Sequence, residues 1–268
     1  MTTPPALLIA AHGAPDEAEA EAFGEVVRTL SGRAPGLAVA GTLVGRGAPR
    51  QLDEAVAALV GQGAGHITAV PLALASDGPG VGGPGGVPAA LERALAPYPG
   101  VGYACGRPLG PEPELLAVLE RRLDEALGDG SAHTSPTSRT PSDRAATTVL
   151  LVGRGSADAE ANAEVHRAAR LLWEGRGYAG VETAFVSLAA PDVPSGLDRC
   201  VRLGARRIVV LPYVLFSGTA ADRVRMQTEG WAAAHPEAEV VPAEPIGPAE
   251  ELIGLVVGRY EETVGAHA

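Results

Sequence analysis

Short aliphatic runs alternate with stretches in which apolar residues recur every three or four positions, and the alternation continues along most of the chain. Apolar runs at 6–11, 37–44, 66–74 and 100–105 predict strands, and helical patterns at about 16–31, 50–61, 87–96 and 111–127 separate them. The second half predicts strands near 148–153, 181–188, 206–214 and 238–242, with helices near 158–175, 193–203, 220–234 and 248–263. Continuous aliphatic strands are those buried on both faces, and strand–helix alternation with short connections winds parallel sheets by right-handed crossovers. The expected fold is α/β, with two tandem doubly wound parallel-sheet domains. Ligands in that architecture sit beyond the carboxyl ends of the strands.

The two halves are copies of one unit. Segment 7–23, LLIAAHGAPDEAEAEAF, matches 149–165, VLLVGRGSADAEANAEV, so His12 falls on Arg154 and Asp16 on Asp158. GAGHITAVPLAL (63–74) matches GARRIVVLPYVL (204–215), which brings Ser76 onto Ser217, and RPLGPEPELL (107–116) matches EPIGPAEELI (244–253). Three collinear matches identify a duplication. Between them, 128–146 is rich in Ser, Thr, Pro, Gly and Asp, the composition of a solvated flexible linker. The expected division is an N-terminal domain 1–127 carrying His12, a linker 128–146 and a C-terminal domain 147–268.

Composition narrows the function classes. A net charge of −11 over 268 residues repels nucleic-acid phosphates and anionic lipid. The two cysteines, Cys105 and Cys200, lie in separate halves without metal-ligand spacing, which argues against a disulfide scaffold, a zinc site or an iron–sulfur cluster. The first apolar run is short, lacks a basic flank and ends at His12-Gly13, a poor signal peptide, and no run reaches the roughly 20 apolar residues of a membrane span. A cytoplasmic location is the expectation.

Candidate chemistry gathers at the predicted strand ends. His12 closes the first strand, where an imidazole serves as metal ligand or proton acceptor, or is simply held by the backbone. Asp16 and Asp158 suit helix N-caps. The third strand of the first half runs through Ser76 into the glycine-rich DGPGVGGPGG (77–86), a loop whose backbone, as at Gly78, can approach a ligand closely or is expected simply to be mobile. Asp77 is either a second metal-facing carboxylate or a turn-forming Asp-Gly. In the second half the strand ends carry Arg154 and Ser217, with Asp222 and Arg223 just beyond. Arg154, a permanent cation, suits a substrate carboxylate or pairs with Asp158. His66, His133, His166, His235 and His267 fall in structural, linker or terminal positions.

The strand-end HG of LLIAAHGAPD, the VPLALAS strand, the GRPLGPEPELLAVLERRL segment and nearly all of 150–224 resemble the sirohydrochlorin chelatases, in particular their long two-domain CbiX/SirB-type members. The resemblance implies a class II chelatase fold, two α/β domains facing each other across a cleft with internal pseudo-twofold symmetry, in a monomer. It implies insertion of cobalt or ferrous iron into sirohydrochlorin on the route to cobalamin or sirohaem, with the metal as substrate and no organic cofactor, nucleic acid or membrane partner. Under it His12 holds the metal or takes a pyrrole proton, and Arg154 and Arg223 are the candidates to meet the polycarboxylate macrocycle, with Ser76, Gly78 and Ser217 as further substrate-binding candidates; the metal site rests on His12 alone, recruits Asp77 as a second ligand, or is lost. The family places a second histidine in the loop after the third strand, and 77–86 contains none. A rival expectation is therefore a tetrapyrrole- or metal-binding protein without catalysis; a weaker one is a two-lobed solute receptor.

Overall fold

The computed structural model describes residues 5–12, 16–44, 49–75, 86–128 and 141–266. They form β1 (Ala6–His12), α1 (Glu17–Arg33), β2 (Val39–Val44), α2 (Pro49–Gly61), β3 (His66–Pro71), α3 (Val87–Leu95), β4 (Gly102–Cys105) and α4 (Pro113–Gly128). A short α5 (Pro141–Ala145) leads into β5 (Thr147–Gly153), α6 (Ala159–Trp173), β6 (Gly180–Phe185), α7 (Val193–Arg202), β7 (Arg207–Tyr213), α8 (Thr219–Ala234), β8 (Glu239–Pro242) and α9 (Glu250–Gly265). The α/β alternation is the expected one.

Two four-stranded sheets result, ordered β2-β1-β3-β4 and β6-β5-β7-β8, with every pairing parallel. The duplication is visible in the register, since Ala11 opposes Leu43 as Gly153 opposes Phe185. Both β1 and β5 are inner strands, and Leu8, Ile9, Leu150 and Leu151 are fully buried, which is why these runs carry no polar alternation. The predicted caps form. The Asp16 carboxylate accepts from the Glu19 amide at 3.0 Å and the Glu19 carboxylate accepts from the Asp16 amide at 3.2 Å, while Asp158 accepts from the Glu160 amide at 3.0 Å.

The compact units do not follow the contiguous halves. One comprises residues 1–110 with 248–268, and the other 111–247. The final helix of each half thus belongs with the other half's sheet: α4 packs near β7, and α9 packs near β3. This differs from a division at the 128–146 linker, and the cause lies in side chains. In the first unit Leu252, Ile253 and Val256 of α9 are buried, and Arg259, 5% exposed, donates to the carbonyls of Pro108 and Leu109. Gly106 lets α9 come close, because a Cβ there would stand 2.8 Å from Thr263 Oγ1. In the second unit Leu115, Leu116 and Leu119 of α4 are buried, and Arg122 donates to the carbonyls of Pro245 and Ile246.

Candidate functional site

In the first unit, β1 is flanked by β2 and β3, and His12 is its last residue, opposite Val44. The Ala10 carbonyl still accepts from the Leu72 amide at 2.8 Å, so β3 runs beside β1 almost to its end. His12 therefore stands on the carboxyl edge of the sheet, four residues before the Asp16 cap that opens α1. Ser76, Asp77 and Gly78 lie outside the described residues.

In the second unit, Arg154 takes the corresponding place directly after β5 and is exposed. Its carbonyl accepts from the Ser187 amide at 3.2 Å and the Ser187 hydroxyl at 3.4 Å, which fastens the turn after β5 to the turn after β6. Gly155 is required between them: its φ is +85°, and a Cβ there would lie 1.8 Å from the Ser187 carbonyl oxygen. The Asn162 side chain then clasps Ser156, accepting from its amide at 2.9 Å and donating to its carbonyl at 2.8 Å. The turn that carries Arg154 is fixed from both sides.

Ser217 is exposed after β7, the neighbour of β5, and Gly218 with φ of +153° opens α8 without a side-chain cap. A helix starting at the carboxyl edge of a parallel sheet directs its first amides and its positive end toward that edge. Arg223 follows in the second turn of α8, exposed and without an ion-pair partner among the described residues. In the second unit Arg154 and Ser217 thus follow the neighbouring strands β5 and β7, and Arg223 lies in the second turn of α8. An arginine cannot act as metal ligand or base near neutral pH.

The remaining candidates are structural. His66 sits at the opposite, amino end of β3, where Gly102 leaves room for its ring. His166 Nδ1 lies 2.8 Å from Thr183 Oγ1, and His235 stacks on Trp231 with ring centroids 3.9 Å apart. Burial pushes the Cys105 thiol up to about 11 and the Cys200 thiol up to about 12, so neither is a thiolate at neutral pH. Among the described residues no group of three or more His, Cys, Asp or Glu side chains is placed to hold a metal ion. Among them, too, no helix is long and apolar enough to cross a membrane.

Two features of this edge escaped the sequence. The Asn162 clasp hides in a helical pattern, and Leu188, 79% exposed with φ of +62°, hides in an apolar run. The run 181–188 suggests one strand, but β6 stops at Phe185. The proline of the following SLAAP segment is the signal that the strand had already ended.

A model of the CbiX family matches residues 6–126 and 148–263. The sirohydrochlorin cobaltochelatase of Priestia megaterium is 32% identical over 216 residues, spanning 79% of this chain and 65% of that protein. The sirohydrochlorin ferrochelatase of the same organism is 27% identical over 179 residues, 66% of this chain and 61% of that protein. The chain thus spans slightly less than two thirds of the length of these curated relatives. Among solved structures, SirB from Bacillus subtilis with Fe3+ superposes with a TM-score of 0.78 at 20% identity, over 98% of this chain and 97% of that one. The SirB complex with cobalt, from the subspecies spizizenii, gives a TM-score of 0.74 at 19% identity, over 98% and 96%. These likenesses show a common fold.

Proposed function

The chain belongs to the CbiX family, and on that premise we propose that it inserts a divalent metal ion, cobalt(II) or iron(II), into sirohydrochlorin. The observation that carries the reading is the family match over both halves, with His12 on the carboxyl edge of the first sheet. Metal insertion exchanges two pyrrole protons for one divalent ion and needs no organic cofactor. The protein's part is to hold the macrocycle, present the ion and take up protons.

His12 supplies the neutral imidazole, which binds a borderline ion or accepts a pyrrole proton near neutral pH. To Asp77 we assign the role of a further oxygen ligand or proton acceptor, and to Ser76 and Gly78 that of macrocycle-binding residues. Arg154 and Arg223 meet peripheral carboxylates, with Ser217 as hydrogen-bond partner. Their local positive charge offsets the net charge of −11, which otherwise repels a polyanionic substrate. The protein acts in the cytoplasm, and a chain holding both copies of the unit works as a monomer.

A second reading, binding of the tetrapyrrole without metal insertion, is favoured by one observation: the 77–86 segment contains no histidine. Anaerobic absorbance assays of sirohydrochlorin with cobalt(II) and with iron(II) separate the two. Acceleration over the uncatalysed rate with either ion supports the chelatase; binding of the macrocycle with no acceleration by either supports the binding protein.

A further inference from the structure

The turn after β6 holds a large aliphatic side chain in the open. Leu188 is 79% exposed and has φ of +62°, a backbone conformation that side chains other than glycine, asparagine and aspartate seldom adopt. The conformation is built into the turn by its surroundings. The Val186 amide donates to the Gly153 carbonyl at 2.9 Å, Ser187 to Arg154 at 3.2 Å, Ala189 to Ser187 at 2.7 Å and Phe185 to Pro191 at 2.9 Å. The Leu188 side chain is thus largely in the open, yet four backbone bonds fix where it stands.

Its location separates it from the other exposed apolar residues. Trp173, 41% exposed, ends α6, and Leu203, 64% exposed, follows α7, so both lie toward the amino ends of the strands. Met226 is within α8, Tyr103 within β4 and Val257 within α9. Among the described residues Leu188 alone brings a large exposed aliphatic group to the carboxyl edge, on a backbone bonded to that of Arg154. The offset that carries His12 onto Arg154 carries Arg46, outside the described residues, onto Leu188, so the apolar residue is particular to the second half.

An exposed apolar side chain on the residue after Ser187, whose amide is bonded to the carbonyl of the cationic Arg154, matches a ligand that is flat and apolar on its face and anionic at its rim. We propose that Leu188 is a substrate-binding residue that packs on the face of the tetrapyrrole while Arg154 meets a rim carboxylate. This rests on the reading of sirohydrochlorin as substrate, and it assigns to Leu188 affinity for the macrocycle, with no part in the transfer of the metal.

The test is titration of metal-free sirohydrochlorin, followed by absorbance, into the wild-type protein and the Leu188→Asn, Leu188→Gly and Leu188→Met variants, with anaerobic metal-insertion kinetics alongside. Asn and Gly accept the left-handed backbone, so they remove the apolar surface and keep the turn. Leu188→Asn and Leu188→Gly are expected to raise Kd and KM for sirohydrochlorin about tenfold, with kcat and the urea midpoint retained, and Leu188→Met to stay near wild type. Wild-type Kd in both Asn and Gly variants overturns the role of Leu188 and leaves the substrate reading standing. A wild-type protein that neither binds nor metallates sirohydrochlorin overturns both.

Discussion

Arg259 and Arg122 occupy equivalent places in the two copies of the repeat, and each guanidinium holds a pair of consecutive carbonyls in its own compact unit. Arg259 donates to Pro108 at 3.1 Å and Leu109 at 2.9 Å, and Arg122 donates to Pro245 at 2.8 Å and Ile246 at 3.0 Å. The carbonyls belong to the Pro-Leu-Gly-Pro and Pro-Ile-Gly-Pro turns, one in each half, while each arginine comes from the helix of the other half. The exchange of final helices is therefore fastened twice by the same bond pattern.

Loss of either arginine leaves these carbonyls without their donor, and the cost scales with burial. The Arg259 side chain is 6% exposed and that of Arg122 is 23% exposed. Arg259→Ala is expected to lower stability by about 2–4 kcal/mol and Arg122→Ala by about 1–2 kcal/mol in urea titrations. The reverse order contradicts the account of the exchange.

Because the first unit is assembled from 1–110 and 248–268, a chain cut within 128–146 should remain one particle. After such a cut both fragments are expected to coelute on a native sizing column and to separate in urea. Two independently folded monomeric fragments eluting apart contradict the exchange.

Gly155 tests the fixed turn under Arg154. A methyl group at this position meets the Ser187 oxygen at 1.8 Å and forces a left-handed alanine. Gly155→Ala is expected to cost about 2–4 kcal/mol and to displace Arg154, weakening sirohydrochlorin binding. A variant of wild-type stability and affinity contradicts the geometry of this turn.

The thiols give a pH dependence with a definite sign. Cys105 and Cys200 titrate near 8.5 when unfolded and are raised to about 11 and about 12 by burial in the native state. Between those values the folded chain keeps protons that the unfolded chain releases. Their contribution is fully present below about pH 8.5 and is lost as pH rises toward 11–12. Stability should fall with pH over this window, and less steeply in Cys200→Ala; equal slopes in urea midpoints measured from pH 8 to 11 contradict the assignment.

The strands were legible because runs such as LLIAA and VLLV have no polar face to show, and Asp16 and Asp158 announced their helices as caps. The exchange of α4 and α9 was not legible. The spacing of Leu115, Leu116 and Leu119 tells that α4 has an apolar face, not which sheet receives it. At the site, His12 and Arg154 were legible as strand-end residues before glycine. Leu188 was not, since an apolar letter after a buried strand reads as more strand, and only the backbone shows it turned out into the open.

The role of His12 is tested by the initial rate of cobalt(II) insertion into sirohydrochlorin, measured anaerobically by absorbance for wild type and His12→Ala, with macrocycle binding titrated in parallel. The expected result is a wild-type rate above the uncatalysed one and a loss of about 10²-fold or more in His12→Ala, with sirohydrochlorin still bound. A His12→Ala protein that inserts cobalt at the wild-type rate contradicts it.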